Sequence, residues 1–173
     1  MMTQRLSPEK WLDAGFSALV SNGPAALAAE PLARALGSTK GSFYWHFKDV
    51  PAYHAALIRQ WQARAFEDIA ARLEDTGPAD ARLRAMGYHI LASPEESALR
   101  VWAQNDMAVA AALAEVDRAR LAYLHHLLAQ FGLSNRAFGE AVLACLAGLP
   151  QIPRATSPRA AFDALIDTVV ALA

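Results

Sequence analysis

The sequence predicts an all-α protein of about nine helices. Apolar residues recur at helical spacing in nearly every segment, and no segment has the apolar–polar alternation typical of a half-buried strand. Glycine and proline separate these segments, where they end one helix and precede the next. Of the 173 residues, 54% are hydrophobic and 19% are charged, a composition typical of a folded globular chain.

The first 48 residues predict three short helices. Ser7 and Pro8 are residue types that begin a helix, and Gly23 is one that ends it. A second helix is predicted over about residues 29–36 and a third over about residues 39–45.

The rest of the chain predicts six further helices. A long helix begins at Asp49, a suitable N-cap, and continues to about Asp75, where Gly77 and Pro78 follow. The others are predicted over roughly residues 79–91, 94–104, 106–131, 135–148 and 158–172.

The second and third helices form a predicted helix-turn-helix. The turn between them contains Gly37 and has the length that this motif requires. Apolar side chains of both helices, Phe43 among them, can pack on the first helix. The side chains that remain outside are small polar, cationic or amphipathic aromatic groups, which suit groove edges and phosphates. They are Thr39, Lys40, Gly41, Ser42, Tyr44, Trp45, His46 and Lys48.

Charge supports this interpretation only weakly. The whole chain has a net charge of −1. Residues 1–48 contain five basic and three acidic residues, and the remainder contains eleven basic and fourteen acidic residues. A basic N-terminal segment favours a nucleic-acid partner.

Residues 37–49, Gly-Ser-Thr-Lys-Gly-Ser-Phe-Tyr-Trp-His-Phe-Lys-Asp, closely resemble the recognition helix of the TetR (tetracycline repressor) family and the start of the helix that follows it. The resemblance is specific over about residues 9–60, and beyond them it extends only to the number and order of helices. It implies a transcriptional regulator, most often a repressor, that binds a palindromic operator in double-stranded DNA as a homodimer and is released by a small-molecule effector. It also implies a DNA-binding domain over residues 1–48 and an effector-binding and dimerisation domain over residues 49–173.

The resemblance assigns roles to the outer side chains of the third helix. Thr39 and Lys40 would enter the major groove at the start of the helix, and Lys40 and Ser42 would contact base edges. Gly41 would allow close approach of the backbone or leave a gap for a thymine methyl group. Tyr44, His46 and Lys48 would contact phosphates, and we expect Trp45 to pack as a wedge between the small domain and the long helix.

Two segments depart from the family pattern. Ala28, Ala29, Glu30 and Pro31 stand where the family often places a hydroxyl or a cation that binds phosphate, and Val50 and Pro51 stand where it often places a polar or basic residue. Because each lost phosphate contact removes affinity, we predict a weaker or more salt-sensitive operator complex than a more basic relative would form.

The last two predicted helices are strongly amphipathic. The resemblance implies that they pair with their copies in a four-helix bundle, although both apolar stripes could instead fill the core of a single chain. The predicted interface consists of Phe138, Val142, Leu146, Leu149, Phe162, Leu165, Ile166 and Val169.

The resemblance places an effector pocket within about residues 79–131. The aromatic and thioether side chains there would suit an apolar or aromatic ligand, although each could equally be a core residue. The predicted lining is Met86, Tyr88, His89, Ile90, Trp102 and Met107. A tilt of the long helix after Lys48 would then couple ligand binding to the spacing of the recognition helices.

Other classes of protein are disfavoured. Adjacent His125 and His126 do not share a helix face, so they are poor joint metal ligands, and no phosphate-binding loop or nucleophile motif is present. A single cysteine, Cys145, excludes an internal disulfide. We therefore expect a cytoplasmic, nucleoid-associated protein. We expect it to have no enzymatic activity, no cofactor, no metal ion and no membrane-spanning helix. A helical adaptor that has lost DNA binding remains the alternative.

Overall fold

Nine α-helices and no strand make up the part of the chain that a computed structural model describes, residues 6–153 and 157–172. Residues 1–5 of the predicted first domain lie outside this part. The helices are α1 (Pro8–Asn22), α2 (Ala29–Ala35), α3 (Lys40–His46), α4 (Val50–Glu74), α5 (Ala79–Leu91), α6 (Pro94–Ala103), α7 (Met107–Ala129), α8 (Arg136–Gly148) and α9 (Pro158–Leu172). The predicted all-α fold is confirmed, and each predicted helix end lies within two residues of the observed one.

Side-chain caps explain why several helices begin where they do. The hydroxyl oxygen of Thr39 accepts a hydrogen bond from the backbone N–H of Ser42 at 3.2 Å, and the carboxylate of Asp49 accepts one from Ala52 at 2.7 Å. Each bond satisfies a backbone donor that has no partner within the helix. Ser7 occupies the N-cap position of α1, but its side chain makes no capping bond.

One group of buried side chains, the N-terminal core, joins the first three helices to the body of the molecule. It contains residues of α1 to α4, α6 and the first half of α7. Trp11, Phe43 and Tyr53 are completely buried in it. The predicted boundary at residue 48 therefore falls within a continuous core, because residues on both sides of it pack together.

A second group, the C-terminal core, lies at the other end of the molecule. It is formed by α5, the second half of α7, α8 and α9. Leu83, Leu124 and Phe162 are completely buried in it. Helix α7 is the element shared by the two cores, with Val109 to Val116 in the first and Tyr123 to Leu128 in the second.

Among the described helices, none combines the length and the apolar character that a membrane crossing requires.

Candidate nucleic-acid interface and ligand cleft

The turn between α2 and α3 has the geometry of a glycine-terminated helix end. Gly37 adopts φ 58°, in the left-handed region that a residue without a Cβ occupies at little cost. The N–H of Ser38 donates to Ala33 O at 2.8 Å, and that of Gly37 donates to Arg34 O at 3.2 Å. These two bonds satisfy the last carbonyls of α2 and direct the chain into α3.

The inner face of α3 is held by aromatic packing. Phe43 is completely buried, and its ring centroid lies 5.5 Å from that of Trp11 and 5.2 Å from that of Tyr53. Phe47, at the end of α3, stacks edge-on against Tyr53 at 4.9 Å. These contacts determine which face of α3 remains outside.

The outer face of α3 carries the eight residues that the sequence predicted to contact DNA. Six are exposed and two are half-buried. The exposed residues are Thr39, Lys40, Gly41, Tyr44, Trp45 and Lys48, and the half-buried ones are Ser42 and His46. The structure thus leaves all eight at least partly accessible to solvent in and beside a single short helix.

Trp45 requires a correction. We expected it to pack as a wedge against the long helix, but 75% of its surface is exposed. Phe43 and Phe47 fill the space beneath α3 instead. Together with Tyr44, which is 52% exposed although its ring stands edge-on to that of Phe43, Trp45 gives this surface an aromatic character.

An acidic residue that the sequence indicated only as a departure from the family pattern touches this surface. The carboxylate of Glu30 on α2 lies 2.8 Å from the ammonium nitrogen of Lys40, which begins α3. The hydrogen bond from Lys40, followed by the charges of Lys40 and Arg34, lowers the pKa of Glu30. The hydrogen bond that Lys40 donates to Glu30 also raises the pKa of Lys40.

Polar contacts fasten the first three helices to α4 and α6. The hydroxyl of Tyr53 on α4 donates a 2.8 Å hydrogen bond to the carbonyl of Trp11, and burial raises the pKa of this phenol. His54 Nε2 lies 2.9 Å from Leu27 O, and its ring stands edge-on to that of Trp102 at 5.1 Å. Gly15 permits the close approach of Tyr53, since a Cβ at that position would overlap the phenol.

The predicted effector pocket is not formed as expected. Met86 is buried in the C-terminal core, Trp102 packs against His54, and Met107 at the start of α7 is 90% exposed. Tyr88 faces α9, where it hydrogen-bonds Asp163. Of the six predicted lining residues, only His89 and Ile90 share a cleft.

That cleft has a volume of about 340 Å³ and is lined by residues of five helices and of the segment between α5 and α6. Its apolar surface comes mainly from two aromatic rings and from small or aliphatic side chains, with charged groups around them. The lining residues are Phe16 of α1, Trp61, Arg64 and Ala65 of α4, His89 and Ile90 of α5, Ala92 and Ser93 after α5, Glu95 and Glu96 of α6, and Arg120 of α7. A cleft with this lining can hold a small amphipathic molecule.

A buried ion-pair network forms one wall of the cleft. Both carboxylate oxygens of Glu96 accept hydrogen bonds from the guanidinium of Arg120, at 2.7 and 3.0 Å. Arg100 also binds Glu96, at 2.6 Å, and reaches Asp117 at 2.7 Å. Because Glu96 and Arg120 are only 3% and 5% exposed, each charge depends on its partner for compensation.

Arg64 connects the cleft to α1. Its guanidinium lies 3.2 Å from the carboxylate of Asp13 and 5.2 Å from the ring centroid of Phe16. Its side chain is about half exposed, so a ligand in the cleft can reach it. Among the described residues, no three His, Cys, Asp or Glu side chains are grouped to hold a metal ion.

No protein-family model matches the chain, and no curated protein matches its sequence. Solved structures match its fold. A transcriptional regulator from a Rhodococcus species superposes with a TM-score of 0.78 at 19% identity, covering 96% of this chain and 97% of that one. A TetR-family regulator from Streptomyces coelicolor gives 0.72 at 17% identity, with 98% and 95% covered. The regulator FadR from Bacillus subtilis, solved with stearoyl-CoA, gives 0.69 at 14% identity, with 96% and 100% covered.

The chain has the TetR-family fold.

Within this TetR-like fold, the predicted dimer interface needs correction at five of its eight positions. Those side chains are almost completely buried in the C-terminal core of a single chain, so they are not available to a partner. They are Val142, Leu146, Phe162, Ile166 and Val169. Phe138, Leu149 and Leu165 are only partly buried.

The exposed faces of α8 and α9 carry several alanines among charged residues. Helix α8 exposes Ala137, Ala141 and Ala144, and α9 exposes Ala160 and Ala164. Small side chains allow two helices to approach closely. Near these alanines, Cys145 is half-buried, and burial raises the pKa of its thiol.

Proposed function

We propose that the protein is a ligand-responsive transcriptional repressor that binds a palindromic operator as a homodimer. The observation that carries this proposal is the outer surface of α3. Tyr44 and Trp45 are exposed there beside Lys40 and Lys48, although the opposite face of the same helix is buried. Exposed aromatic and cationic groups on a short helix after a tight turn suit a nucleic-acid groove.

The start of α3 supplies the base contacts in this proposal. Lys40 and Ser42 reach base edges in the major groove, where lysine can donate to guanine acceptors. The hydroxyl oxygen of Thr39 accepts the bond that caps α3, so its hydrogen remains to donate to a phosphate oxygen. Tyr44, His46 and Lys48 contact phosphates and fix the orientation of the helix.

Two copies of α3 read the two halves of a palindrome. Successive major grooves on one side of B-DNA are about 34–36 Å apart, so the dimer must hold its recognition helices at that spacing. The exposed, alanine-bearing faces of α8 and α9 form the interface. Sedimentation of the purified protein tests this, because Ala141→Glu should convert a dimer to a monomer, and a wild-type monomer would exclude the dimer.

The effector binds in the cleft between α1 and the body. The 340 Å³ volume lies at the small end of the range for ligand pockets, roughly 300–1,000 Å³. It suits a small apolar or aromatic molecule with a polar group, far smaller than the stearoyl-CoA bound to the Bacillus subtilis regulator. Such a ligand would contact Phe16 and Arg64 together, and so would alter the contacts between α1 and α4.

Release from DNA follows as a population shift. A ligand that binds better to one orientation of α1 relative to α4 favours that orientation by its difference in affinity. Since α4 begins two residues after Lys48, a change at this junction alters the separation of the recognition helices.

Binding to DNA from the region upstream of the protein's own gene tests the main proposal. We expect the wild type to bind one duplex specifically, and Lys40→Ala to lose most of that preference because it removes a base contact. Arg118→Ala is the matched control, since it removes an exposed cation from α7, away from α3. No specific binding at low salt, to this DNA or to a selected pool, would favour the helical adaptor.

The effector site has its own test. A panel of small aromatic and aliphatic molecules is screened for compounds that raise the melting temperature and release the operator. Ala92→Trp places a large side chain in the cleft at an exposed position, so it should abolish both responses while operator binding persists. An equal response in Ala92→Trp would exclude this cleft as the site.

A further inference from the structure

The cation that begins α3 is already paired in the free protein. The ammonium nitrogen of Lys40 lies 2.8 Å from Glu30 Oε2, and Arg34 Nη2 lies 3.5 Å from the other carboxylate oxygen. Glu30 thus receives two cations, one from its own helix and one from the recognition helix. The interaction with Lys40 connects α2 to α3 across the helix-turn-helix.

This carboxylate lies on the surface proposed to meet DNA. Glu30 and Lys40 are both more than half exposed, and both line a shallow groove with Arg34 and Ser38 at the junction of α2 and α3. On the same side, a neighbouring groove runs from Glu30 and Lys40 to Tyr44. A phosphate that approaches Lys40 from this side therefore also approaches Glu30.

The other two acids among residues 6–48 are placed differently. Asp13 pairs with Arg64 of α4, toward the body of the molecule. Glu9 lies in the first turn of α1, where its own backbone and Ser7 lower its pKa most and the charge of His46 on α3 contributes least. Among the described residues, Glu30 is the acid that forms an ion pair with a residue of α3.

The pairing affects phosphate contacts and base contacts differently. Non-specific binding depends almost wholly on cations that neutralise phosphates and release counterions. A lysine neutralised by its own carboxylate gains little from a phosphate, and the carboxylate repels that phosphate. Base edges carry no net charge, and the ammonium has three donors, of which Glu30 engages one, so two remain for acceptors such as guanine O6 and N7.

We propose that Glu30 is a specificity-determining residue of the DNA interface, which positions Lys40 for base contacts and weakens its contacts with phosphates. This inference rests on the proposed DNA-binding function. In non-specific complexes Glu30 opposes binding, and in the operator complex it holds the ammonium toward the groove. It therefore raises the ratio of specific to non-specific affinity in an interface that contains few cations.

Glu30→Gln tests the proposal because it removes the charge and keeps the shape. We expect non-specific affinity to rise about three- to fivefold, as suits an exposed ion pair. The slope of log affinity against log salt should steepen by about one, the value of one additional phosphate contact. The ratio of operator affinity to non-specific affinity should fall, because the operator complex does not gain equally.

Glu67→Gln is the matched control. It makes the same substitution and the same change in net charge at an exposed position of α4, outside the helix-turn-helix and outside the cleft lining. We expect its salt slope and affinity ratio to match those of the wild type. If Glu67→Gln and Glu30→Gln change both quantities equally, overall charge explains the effect and the proposal is overturned.

A double variant tests whether Glu30 acts through Lys40. In a Lys40→Ala background, Glu30→Gln should steepen the salt slope less than it does when Lys40 is present, because only Arg34 then loses its carboxylate partner. An equal increase in non-specific affinity with and without Lys40 would overturn the positioning role. A wild type that binds its operator specifically while Glu30→Gln changes neither slope nor ratio rejects this inference alone. A wild type without specific binding rejects the proposed function itself.

Discussion

The N-terminal and C-terminal cores differ in composition and in what they connect. The N-terminal core buries seven aromatic side chains and is crossed by directed polar contacts such as the bond from Tyr53 to the Trp11 carbonyl. The C-terminal core buries two, Tyr123 and Phe162, and is otherwise mainly aliphatic. Rings and hydrogen bonds have preferred geometries, so the first core fixes the orientation of α1 to α3 on the body. The second core buries mainly aliphatic surface, and polar contacts beside it, such as that of Arg84 with Asp163, join α5 to α9.

Helix α7 makes the two cores dependent on each other. It runs through both, and the buried pair of Glu96 and Arg120 lies between its two apolar segments. Loss of either core removes the packing of half of this helix. We therefore expect the described part of the chain to unfold as one cooperative unit, although its two halves have different tasks.

The largest expected effect on stability comes from removing one buried aromatic ring from each core in turn. Phe43→Ala and Phe162→Ala both remove a completely buried ring, and each should reduce the free energy of unfolding by about 3–5 kcal/mol. Urea denaturation is followed by far-UV circular dichroism and by tryptophan fluorescence. Trp11, Trp61 and Trp102 belong to the N-terminal core, so fluorescence reports on that half.

For each variant the two transitions should coincide, as expected for two-state unfolding. If Phe162→Ala loses helix content at lower urea than it loses fluorescence, the cores unfold separately and their dependence through α7 is wrong.

A smaller effect is expected from overpacking each core at a glycine. A Cβ at Gly15 would overlap the phenol of Tyr53, and one at Gly87 would overlap the ring of Phe162. Each alanine variant should lose about 1–3 kcal/mol of stability. Gly15→Ala should also weaken operator binding, because it displaces the residue that fastens α1 to α4, whereas Gly87→Ala should not.

Gly148→Ala is the control for this pair, since a Cβ there meets open space in a helical conformation. It should be neutral or slightly stabilising. Thermal denaturation and operator titration below both transitions measure the two effects, and equal operator affinity in Gly15→Ala and Gly87→Ala would contradict the assigned roles.

The smallest effect is expected at the helix caps. Asp49 caps α4 at the junction with α3, and Asn135 caps α8 in the other half. Replacing either with alanine should cost about 1 kcal/mol of stability. Only Asp49→Ala should weaken the operator complex, because a frayed start of α4 loosens Lys48; matching operator affinities in the two variants would show that the cap serves stability alone.

The helix positions were predictable because their signals are local. Gly37 determines the turn between α2 and α3, and Asp49 and Asn135 lie at the helix starts that they cap. A helical period also showed which side of α8 and α9 is apolar. It could not show which molecule covers that side, so Val142 and Phe162 were assigned to a partner although their own chain buries them.

The candidate site was predictable only where its residues are neighbours in sequence. The surface of α3 came from one continuous run, although Trp45 was misplaced because Phe43 and Phe47 already fill the space beneath it. The cleft could not be predicted, since it brings Phe16 and Arg120 together across a hundred residues. The contact between Glu30 and Lys40 depends on how closely the turn folds α2 against α3.

The distribution of the cleft lining over five helices has an evolutionary consequence. The small side chain of Ala92 is exposed and can be enlarged without altering a residue of α2 or α3. Under the proposed function, selection could therefore change which molecule the cleft accepts while the operator sequence stays constant. The same separation would make the chain a starting point for laboratory biosensors, in which a small mutant library retunes the response and an existing promoter is kept.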